Sequence, residues 1–222
     1  AGIAKQFSEE GARVVLLDLN QEAAESIAKE LGDTCLPLCA DISDKSNLSS
    51  AIDQIIDWSG KIDILVNNAG ITIRKKPEEY TFGEWQQVIS TNLNGTFLFC
   101  KSVYPHMAKA KTGKIINIGS MSSIFGLDTS SPYAATKGAI VQLSKSLAMA
   151  WAKDNIQVNT ILPGWIRTDL TAPMKELFPE RYSMINSRIP SHQWGEPDDF
   201  AGTAVLLSSD ASAYITGASI PV

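Results

Sequence analysis

The sequence predicts an α/β fold in which a doubly wound parallel sheet carries helices on both of its faces. Short apolar runs alternate along the chain with longer segments whose apolar residues recur at helical spacing. The apolar runs are continuous, which is typical of strands buried on both faces of a parallel sheet. Because no linker, repeat or change of composition divides residues 1–222, we expect a single domain.

Helix and strand alternate from the first residues. Residues 1–10 have apolar side chains at helical spacing and end at Gly11, where a helix C-cap glycine is expected. An apolar run over 13–17 then predicts a strand that closes at Asp18. The same two patterns predict helices over 21–31 and 47–58, and strands over 34–40 and 62–66.

The alternation continues through the second half of the chain. A long helical region is predicted over 82–107, followed by a strand over 114–118. Further helices are predicted over 133–153 and 198–207, and a further strand over 157–162. Residues 168–196 break this rhythm with three prolines. An insertion after a late strand often forms a lid over a site, so we expect a substrate lid there.

Composition argues against several classes of function. The 222 residues are 44% hydrophobic and 19% charged, which describes a globular protein and not a disordered one. A formal net charge of −5 disfavours nucleic acid as a partner. With three cysteines and two histidines we expect neither a disulfide framework nor a metal site, and reduced cysteines favour a cytoplasmic location. No apolar run is long enough to span a membrane, so no membrane partner is expected.

Polar residues follow each predicted strand, at the edge where ligands bind in open parallel sheets. They are glycines and short polar side chains that present hydrogen-bonding groups: Asp18, Asp41, Asn67 to Gly70, Gly119 to Ser122, and Pro163 to Thr168. Turn residues are also needed at strand ends for purely structural reasons. The pattern therefore locates a site but does not by itself assign the role of any one residue.

Asp18 is the most informative of the early candidates. A carboxylate at this strand end accepts two hydrogen bonds from an adenosine ribose diol and repels a 2′-phosphate. Leu19 and Asn20 follow, so no arginine is placed to receive that phosphate. We therefore expect NAD to be preferred, with NADP possible as the cofactor. The alternative is a loop aspartate that caps the helix beginning at Gln21.

Tyr133 and Lys137 lie four residues apart, which places the phenol and the ammonium on one face of the predicted helix. A nearby ammonium favours the phenolate, so we expect a lowered pKa for Tyr133 and a role in general acid/base catalysis between an alcohol and a ketone. Ser120, at the end of the preceding strand, is placed to donate to the same substrate oxygen.

Taken together, the sequence resembles the short-chain dehydrogenase/reductase family, a Rossmann-like family, over essentially the whole chain. The motifs that carry the resemblance agree in order and spacing: Asn67-Asn68-Ala69-Gly70, Thr91-Asn92-Leu93, Ile118-Gly119-Ser120, Tyr133 with Lys137, Pro163 to Thr168, Arg188-Ile189-Pro190, Trp194 to Pro197, and Tyr214 to Gly217.

The resemblance implies a role for each matching position. Tyr133 would be the acid/base, Ser120 would orient the substrate, and Lys137 would bind the nicotinamide ribose and lower the pKa of Tyr133. Asn92 would hold a water in the proton relay. The residues implied to bind the cofactor are Asp18, Asp41, Ile42, Asn68, Ala69, Gly70, Tyr133, Lys137, Pro163, Gly164, Ile166 and Thr168.

Several stretches look like sugar-acid and polyol dehydrogenases of the gluconate 5-dehydrogenase or 2-deoxy-D-gluconate 3-dehydrogenase type. Arg74, a few residues past a cofactor loop, is placed to pair with a substrate carboxylate, although a solvated basic turn formed with Lys75 and Lys76 is the alternative. Ser122 and Trp165 are further candidates for contact with a small-molecule substrate.

Two alternatives to this function stay open. A 3-oxoacyl-carrier-protein reductase shares the same motifs, but the acidic chain and Asp18 favour the sugar-acid or polyol interpretation. The resemblance also implies a first strand and a glycine-rich phosphate-binding loop before Ala1, and a short tail after Val222. We therefore expect a domain truncated at both ends, and the second alternative is an inactive fragment that lacks the phosphate loop. Members of the family usually assemble, so a homotetramer or homodimer is expected.

Overall fold

The computed structural model describes all residues from 1 to 222. Helices and strands follow one another in this order: α1 (Gly2–Glu9), β1 (Val14–Asp18), α2 (Gln21–Leu31), β2 (Cys35–Cys39), α3 (Lys45–Ser59), β3 (Ile64–Asn67), α4 (Phe82–Ile89), α5 (Thr96–Ala110), β4 (Gly113–Ile118), α6 (Ser131–Trp151), β5 (Ile156–Leu162), α7 (Pro173–Leu177), α8 (Pro179–Arg188), α9 (Ala201–Ser208) and β6 (Ser219–Pro221).

Local signals in the sequence explain where several helices begin and end. The side chain of Asn20 accepts a hydrogen bond from the Ala23 amide at 3.0 Å and starts α2. Asp44 caps α3 in the same way, and α3 ends at Gly60, whose φ of 78° lies in the left-handed region that favours glycine. Because Asn20 caps α2, the alternative cap role for Asp18 is wrong.

All strand pairs are parallel. β3, β4, β5 and β6 pair in this order as one group, and β1 pairs with β2 as a second group. Asn67 at the end of β3 lies opposite Asn117 of β4, and Asp18 at the end of β1 lies opposite Cys39 of β2. The prediction of a further strand and a glycine-rich loop before Ala1 is not tested by these residues and stays a prediction.

Helices cover both faces of the four-stranded group. On one face, α3, α5 and α6 bury their apolar side chains against β3, β4 and β5 around Ile115 and Val158. On the other face, α9 packs Ala204 and Leu207 against Ile116 and Ile161, with α1 beside it. The neighbours Ile115 and Ile116 point to opposite faces because side chains alternate along a strand. The doubly wound α/β prediction is confirmed.

The predicted long helix over 82–107 is interrupted. After α4, residues Ser90–Gly95 form one π-helical turn before α5 begins, and α5 then continues past Pro105 to Ala110. Apolar periodicity predicts a helix but does not distinguish an α-turn from a π-turn. π-helical turns inside longer helices occur frequently at functional sites.

The irregular segment 168–196 contains α7 and α8, which the sequence patterns did not predict. It begins and ends at one place, because Ile166 and Gly195 form an isolated parallel bridge with hydrogen bonds of 2.9 Å. Between these ends, Met174, Ile185 and Trp194 form a small buried cluster of their own. The segment is therefore a compact unit attached beside the carboxyl end of β5.

Most of the large apolar side chains of α6 lie inside the domain, whereas Met149 is exposed. Ile140 and Leu147 are buried, and Leu143 and Trp151 pack against the core beside α5. The hydrophobicity of these four residues is therefore accounted for by the core of one chain. None of the helices combines the length and the apolar character that a membrane span requires.

Candidate active site

Two carboxylates stand at the ends of neighbouring strands. Asp18 closes β1, and its side chain accepts a hydrogen bond from the Asn20 amide at 2.9 Å while remaining exposed. Asp41 follows β2 and accepts from both the amide and the hydroxyl of Ser43, at 2.8 and 2.7 Å. Both carboxylates thus lie where the sequence analysis expected a ligand, with Asp18 directed at its own turn and open to solvent.

Ile42 joins this region to the next part of the site. Its side chain is buried against Gly95, where an added Cβ would stand only 2.8 Å from the Ile42 side chain. A glycine is therefore required for the close approach of the π-helical turn to the loop after β2. The same turn carries Asn92, so the loops after β2 and β3 meet at one edge of the sheet.

Asn92 is buried, and both polar groups of its side chain form hydrogen bonds. Its Oδ1 accepts from the Ile71 amide at 2.8 Å, and its Nδ2 donates to the Ile71 carbonyl at 3.0 Å and to the Thr136 hydroxyl at 3.2 Å. Ile71 directly follows the exposed residues Asn68, Ala69 and Gly70. Asn92 therefore holds this loop against α6.

Tyr133 lies half-buried beside the Ser120 hydroxyl. Burial raises the pKa of Tyr133 above its usual value, while the nearby Ser120 hydroxyl and the positive charge of Arg74 act in the opposite direction. The predicted lowering of this pKa is therefore wrong for the structure described here. The reason is that Lys137 is directed elsewhere.

Lys137 points beneath the tyrosine ring and not at the phenol oxygen. Its Nζ donates to the Ile118 carbonyl at 2.6 Å and lies 5.6 Å from the centroid of the Tyr133 ring. Burial lowers the pKa of Lys137 to about 8. The ammonium thus lies between the end of β4 and α6, and its charge is lost more readily than that of an exposed lysine.

The turn after β4 is tied closely to α6 and to the end of β5. Ser120 accepts from the Ser122 amide at 3.1 Å, and Met121 donates its amide to the Pro163 carbonyl at 2.9 Å. Ser123 donates to the Lys137 carbonyl at 2.7 Å. Ser122 is buried and its hydroxyl has no hydrogen-bond partner, so it lies close to Ser120 but beneath the surface.

The residues after β5 form the base of the insertion. Gly164 donates its amide to the Val222 carbonyl at 2.8 Å, and Ile166 is buried. Thr168 is exposed, and its backbone carbonyl accepts from the Thr171 amide at 2.9 Å. Trp165 lies against Trp194, with ring centroids 5.1 Å apart, so the structure places it at the root of the lid cluster.

Arg74 is exposed beside this centre. Its guanidinium donates to the Leu170 carbonyl of the insertion at 3.1 Å and forms no salt bridge. Partial burial and the charge of Arg181 lower the pKa of Arg74, and the nearby Tyr133 acts in the opposite direction. The alternative was a solvated basic turn of Arg74, Lys75 and Lys76. In the structure, Lys75 forms an ion pair with Glu84.

Comparisons with known proteins agree with this arrangement. The family model described as "Enoyl-(Acyl carrier protein) reductase" matches residues 1–222. The 5-keto-D-gluconate 5-reductase of Escherichia coli (strain K12) is 38% identical over 211 residues, which cover 93% of this chain and 82% of that protein. The chain belongs to the short-chain dehydrogenase/reductase family.

Two further relatives show the range of this family. The crystal structure of a gluconate 5-dehydrogenase from Burkholderia cenocepacia J2315, in complex with NADP and tartrate, matches with a TM-score of 0.95 and 34% identity. The match covers 100% of this chain and 88% of that one. The 3-oxoacyl-(acyl-carrier-protein) reductase FabG of Thermotoga maritima is 36% identical over 220 residues, which cover 95% of this chain and 86% of that protein.

Membership of the short-chain dehydrogenase/reductase family makes the chain an NAD(P)-dependent oxidoreductase that interconverts a secondary alcohol and a ketone. The residues at the carboxyl edge fit such a dinucleotide. At Gly70, an added Cβ would stand 3.4 Å from Asn92 Oδ1 and 3.7 Å from Lys137 Nζ, so glycine leaves open the space next to the ammonium.

Sequence reasoning missed three features of the site in this short-chain dehydrogenase/reductase. Thr136, between Tyr133 and Lys137, is the contact of Asn92 on α6. Arg181 of the insertion lies close enough to Arg74 to affect its pKa. Leu170 contributes only a backbone carbonyl, which no side-chain pattern reveals. A proline-interrupted segment gives no periodicity from which the position of Arg181 follows.

Proposed function

We propose that the protein oxidises or reduces a hydroxyl or keto group of a sugar acid or polyol, with NAD as its preferred cofactor. The observation that carries this proposal is the position of Arg74. An exposed guanidinium without a carboxylate partner lies near the Tyr133 phenol. A carboxylate on the substrate would pair with this guanidinium while a hydroxyl of the same molecule reaches Tyr133.

In the proposed reaction, Tyr133 transfers the proton to or from the substrate oxygen, and Ser120 donates a hydrogen bond to that oxygen. The nearness of the Ser120 hydroxyl to Tyr133 supports this pairing, because one substrate oxygen can then reach both hydroxyls. The nicotinamide supplies or accepts the hydride when it is bound. The protein's part is therefore to fix the substrate oxygen and to move one proton.

Lys137 and Asn92 are proposed to support this proton transfer. Lys137 would bind the nicotinamide ribose, and a pKa near 8 places the ammonium close to working pH as a proton donor or acceptor. Asn92 would hold a water next to the relay. Its hydrogen bonds to Ile71 and Thr136 support a positioning function, because they fix the loop beside Lys137.

The cofactor is proposed to lie along the carboxyl edge of the sheet. The residues assigned to it are Asp18, Asp41, Ile42, Asn68, Ala69, Gly70, Tyr133, Lys137, Pro163, Gly164, Ile166 and Thr168. The exposed carboxylate of Asp18 supports NAD, since a ribose diol donates two hydrogen bonds to it and a 2′-phosphate is repelled.

A 3-oxoacyl-carrier-protein reductase is the second candidate function. The relative from Thermotoga maritima favours it. The two candidates differ in what Arg74 meets, because an acyl thioester brings no carboxylate to that position.

The deciding experiment is a substrate panel of D-gluconate, 2-deoxy-D-gluconate, polyols and an acetoacetyl thioester, each tested with NAD(H) and NADP(H). The proposal expects the highest kcat/KM for a sugar acid with NAD or a keto-acid with NADH. A higher value for the thioester with NADPH would support the second candidate instead. Replacement of Arg74 by Gln is expected to raise KM for sugar acids and to leave polyols unaffected.

Two further proposals concern the whole molecule. Residues 168–196 are proposed to act as a substrate lid, supported by their contact with Arg74 through Leu170. A homodimer or homotetramer is also proposed, supported by the apolar side chain of Met149, which is 85% exposed on α6. Light scattering of the protein in solution measures the assembly directly, and a monomeric mass would contradict it.

A further inference from the structure

Arg181 is a charged residue of the insertion that reaches back to the domain. It lies on α8, and its guanidinium donates to Asp128 Oδ1 at 2.8 Å and to Thr129 Oγ1 at 3.3 Å. Asp128 and Thr129 belong to the loop that leads into α6 and therefore to Tyr133. Arg181 thus connects the insertion to the start of the catalytic helix.

Thr129 also brings Arg181 and Arg74 to the same place. Its carbonyl accepts from the amide of Lys75, the neighbour of Arg74, at 3.0 Å, while its hydroxyl accepts from Arg181. The hydroxyl of Tyr80 donates to the same carbonyl at 3.3 Å. A single residue therefore fixes the segment that carries Arg74 next to the helix that carries Arg181.

The charges of this cluster do not balance. Arg74 and Arg181 contribute two positive charges, and Asp128 contributes the one carboxylate that pairs with either of them. The mutual repulsion of the two guanidinium groups contributes to the lowered pKa of Arg74. An anion that enters next to Tyr133 meets both groups and supplies the missing negative charge.

The Arg181–Asp128 pair is suited to exchange. The Asp128 side chain is 74% exposed, whereas that of Arg181 is 30% exposed. Exposed ion pairs are weak because water and salt screen them and because two long side chains must be held still. A substrate carboxylate held at the same time by Arg74 is the stronger partner for Arg181, since two guanidinium groups then share it.

We propose that Arg181 is a second, lid-borne specificity residue that binds the carboxylate of an anionic substrate together with Arg74, and that Asp128 competes with that carboxylate for Arg181. This inference rests on the proposed function, in which Arg74 meets a sugar acid. It adds a residue of the insertion to that site. In the absence of substrate, the Asp128 carboxylate occupies the place on Arg181 that the substrate carboxylate would take.

The test compares the binding of D-gluconate and of sorbitol, which has the same carbon chain without the carboxylate, by isothermal titration of the 222-residue protein. R181Q is expected to weaken gluconate binding about ten-fold or more, as for the loss of one charge-assisted hydrogen bond, with sorbitol unchanged. R181K is expected to restore part of the loss. D128N is expected to strengthen gluconate binding about two- to five-fold, as for removal of one exposed ion pair.

A matched control is R188Q, which removes an exposed arginine at the other end of the same helix. It is expected to leave both affinities unchanged, and thermal unfolding of each variant checks that α8 is intact. Equal weakening of gluconate and sorbitol by R181Q would assign Arg181 a purely structural role and overturn the proposal. Absence of gluconate binding to the unmodified protein, or no effect of R181Q on it, would also overturn it.

Failure of the proposed function has a different signature. It appears as the absence of turnover for every sugar acid in the substrate panel, whatever the affinities are. Gluconate binding that depends on Arg181 without turnover would keep the anion site and reject the reaction. Turnover of sugar acids that R181Q does not change would keep the proposed reaction and reject the role of Arg181.

Discussion

Asn92 donates from its Nδ2 to the hydroxyl of Thr136 across 3.2 Å, which ties the π-helical turn to the helix segment between Tyr133 and Lys137. Thr136 in turn donates to the Tyr133 carbonyl at 2.7 Å. With its two bonds to Ile71, Asn92 joins three parts of the edge: the loop after β3, the π-helical turn and α6. Because this amide is buried, its bonds are not exchanged for water, and the relative positions of these parts are fixed.

Replacing Tyr133 by Phe removes the proposed proton donor and keeps the ring. We expect kcat to fall by about 10²-fold to 10⁴-fold, the usual contribution of a positioned general acid. NAD affinity should change little, because the other residues assigned to the cofactor remain. Steady-state kinetics and titration with NAD measure the two quantities. Turnover at the original rate would remove Tyr133 from this role, and a parallel loss of NAD affinity would point to a disturbed site.

Replacing Asp18 by Ala tests the cofactor preference. Loss of the carboxylate removes both the acceptor for the ribose diol and the repulsion of a 2′-phosphate, so the ratio of kcat/KM for NAD to that for NADP should fall. The matched control is D33A, which removes another exposed carboxylate from the turn before β2. An unchanged ratio in D18A, or an equal change in D33A, would reject the assignment of Asp18.

Lys137 makes stability depend on pH. Its pKa is about 8 in the folded protein and 10.5 in the unfolded one, so the unfolded chain binds more protons between these values. The stability contribution of this group therefore improves as pH rises from about 8 to about 10.5. Below this window, the buried charge costs on the order of 3 kcal/mol by the conversion of 1.36 kcal/mol per pKa unit.

The variant K137M isolates this effect. We expect its free energy of unfolding to exceed that of the unmodified protein most at pH 7, with the difference shrinking steadily above pH 8. Urea denaturation at a series of pH values gives both free energies. A difference that does not vary with pH would mean that Lys137 is not desolvated to the extent described.

Gly95 tests the contact between the π-helical turn and the loop after β2. In G95A the new methyl group collides with Ile42, so we expect a loss of about 1–3 kcal/mol in the free energy of unfolding, as for overpacked cores. Cofactor affinity should fall as well, because Ile42 is one of the residues assigned to the cofactor. The control G126A places its Cβ where nothing lies within 4 Å and is expected to be neutral.

Most of the fold follows from the sequence because the two apolar patterns differ so clearly. The continuous apolar run before Asp18 predicts the strand β1. The spacing of Leu48, Ala51 and Ile52 predicts the helix α3. The π-helical turn at Asn92 does not follow, since it depends on the fit of Gly95 against Ile42, residues more than fifty positions apart. The spacing of apolar residues along the chain does not report contacts between such distant residues.

The candidate site is predictable to a similar degree and for a related reason. Tyr133 and Lys137 are found because their spacing is a helix property, and Ser120 because it ends a strand. The pKa of Tyr133 could not be foreseen, because the direction in which Lys137 points depends on the Ile118 carbonyl. Arg181 could not be placed either, since its partners Asp128 and Thr129 lie over fifty residues away in the sequence.

The bridge between Ile166 and Gly195 brings the two ends of the insertion together, and the aromatic cluster around Trp194 gives the insertion an interior of its own. The residues between these two positions can therefore be replaced together, in evolution or by protein engineering. Such a replacement would alter which molecules are admitted, while Ser120, Tyr133 and Lys137 stay anchored in the sheet and in α6. Part of the substrate selectivity can therefore change without any change in the residues proposed for the chemistry.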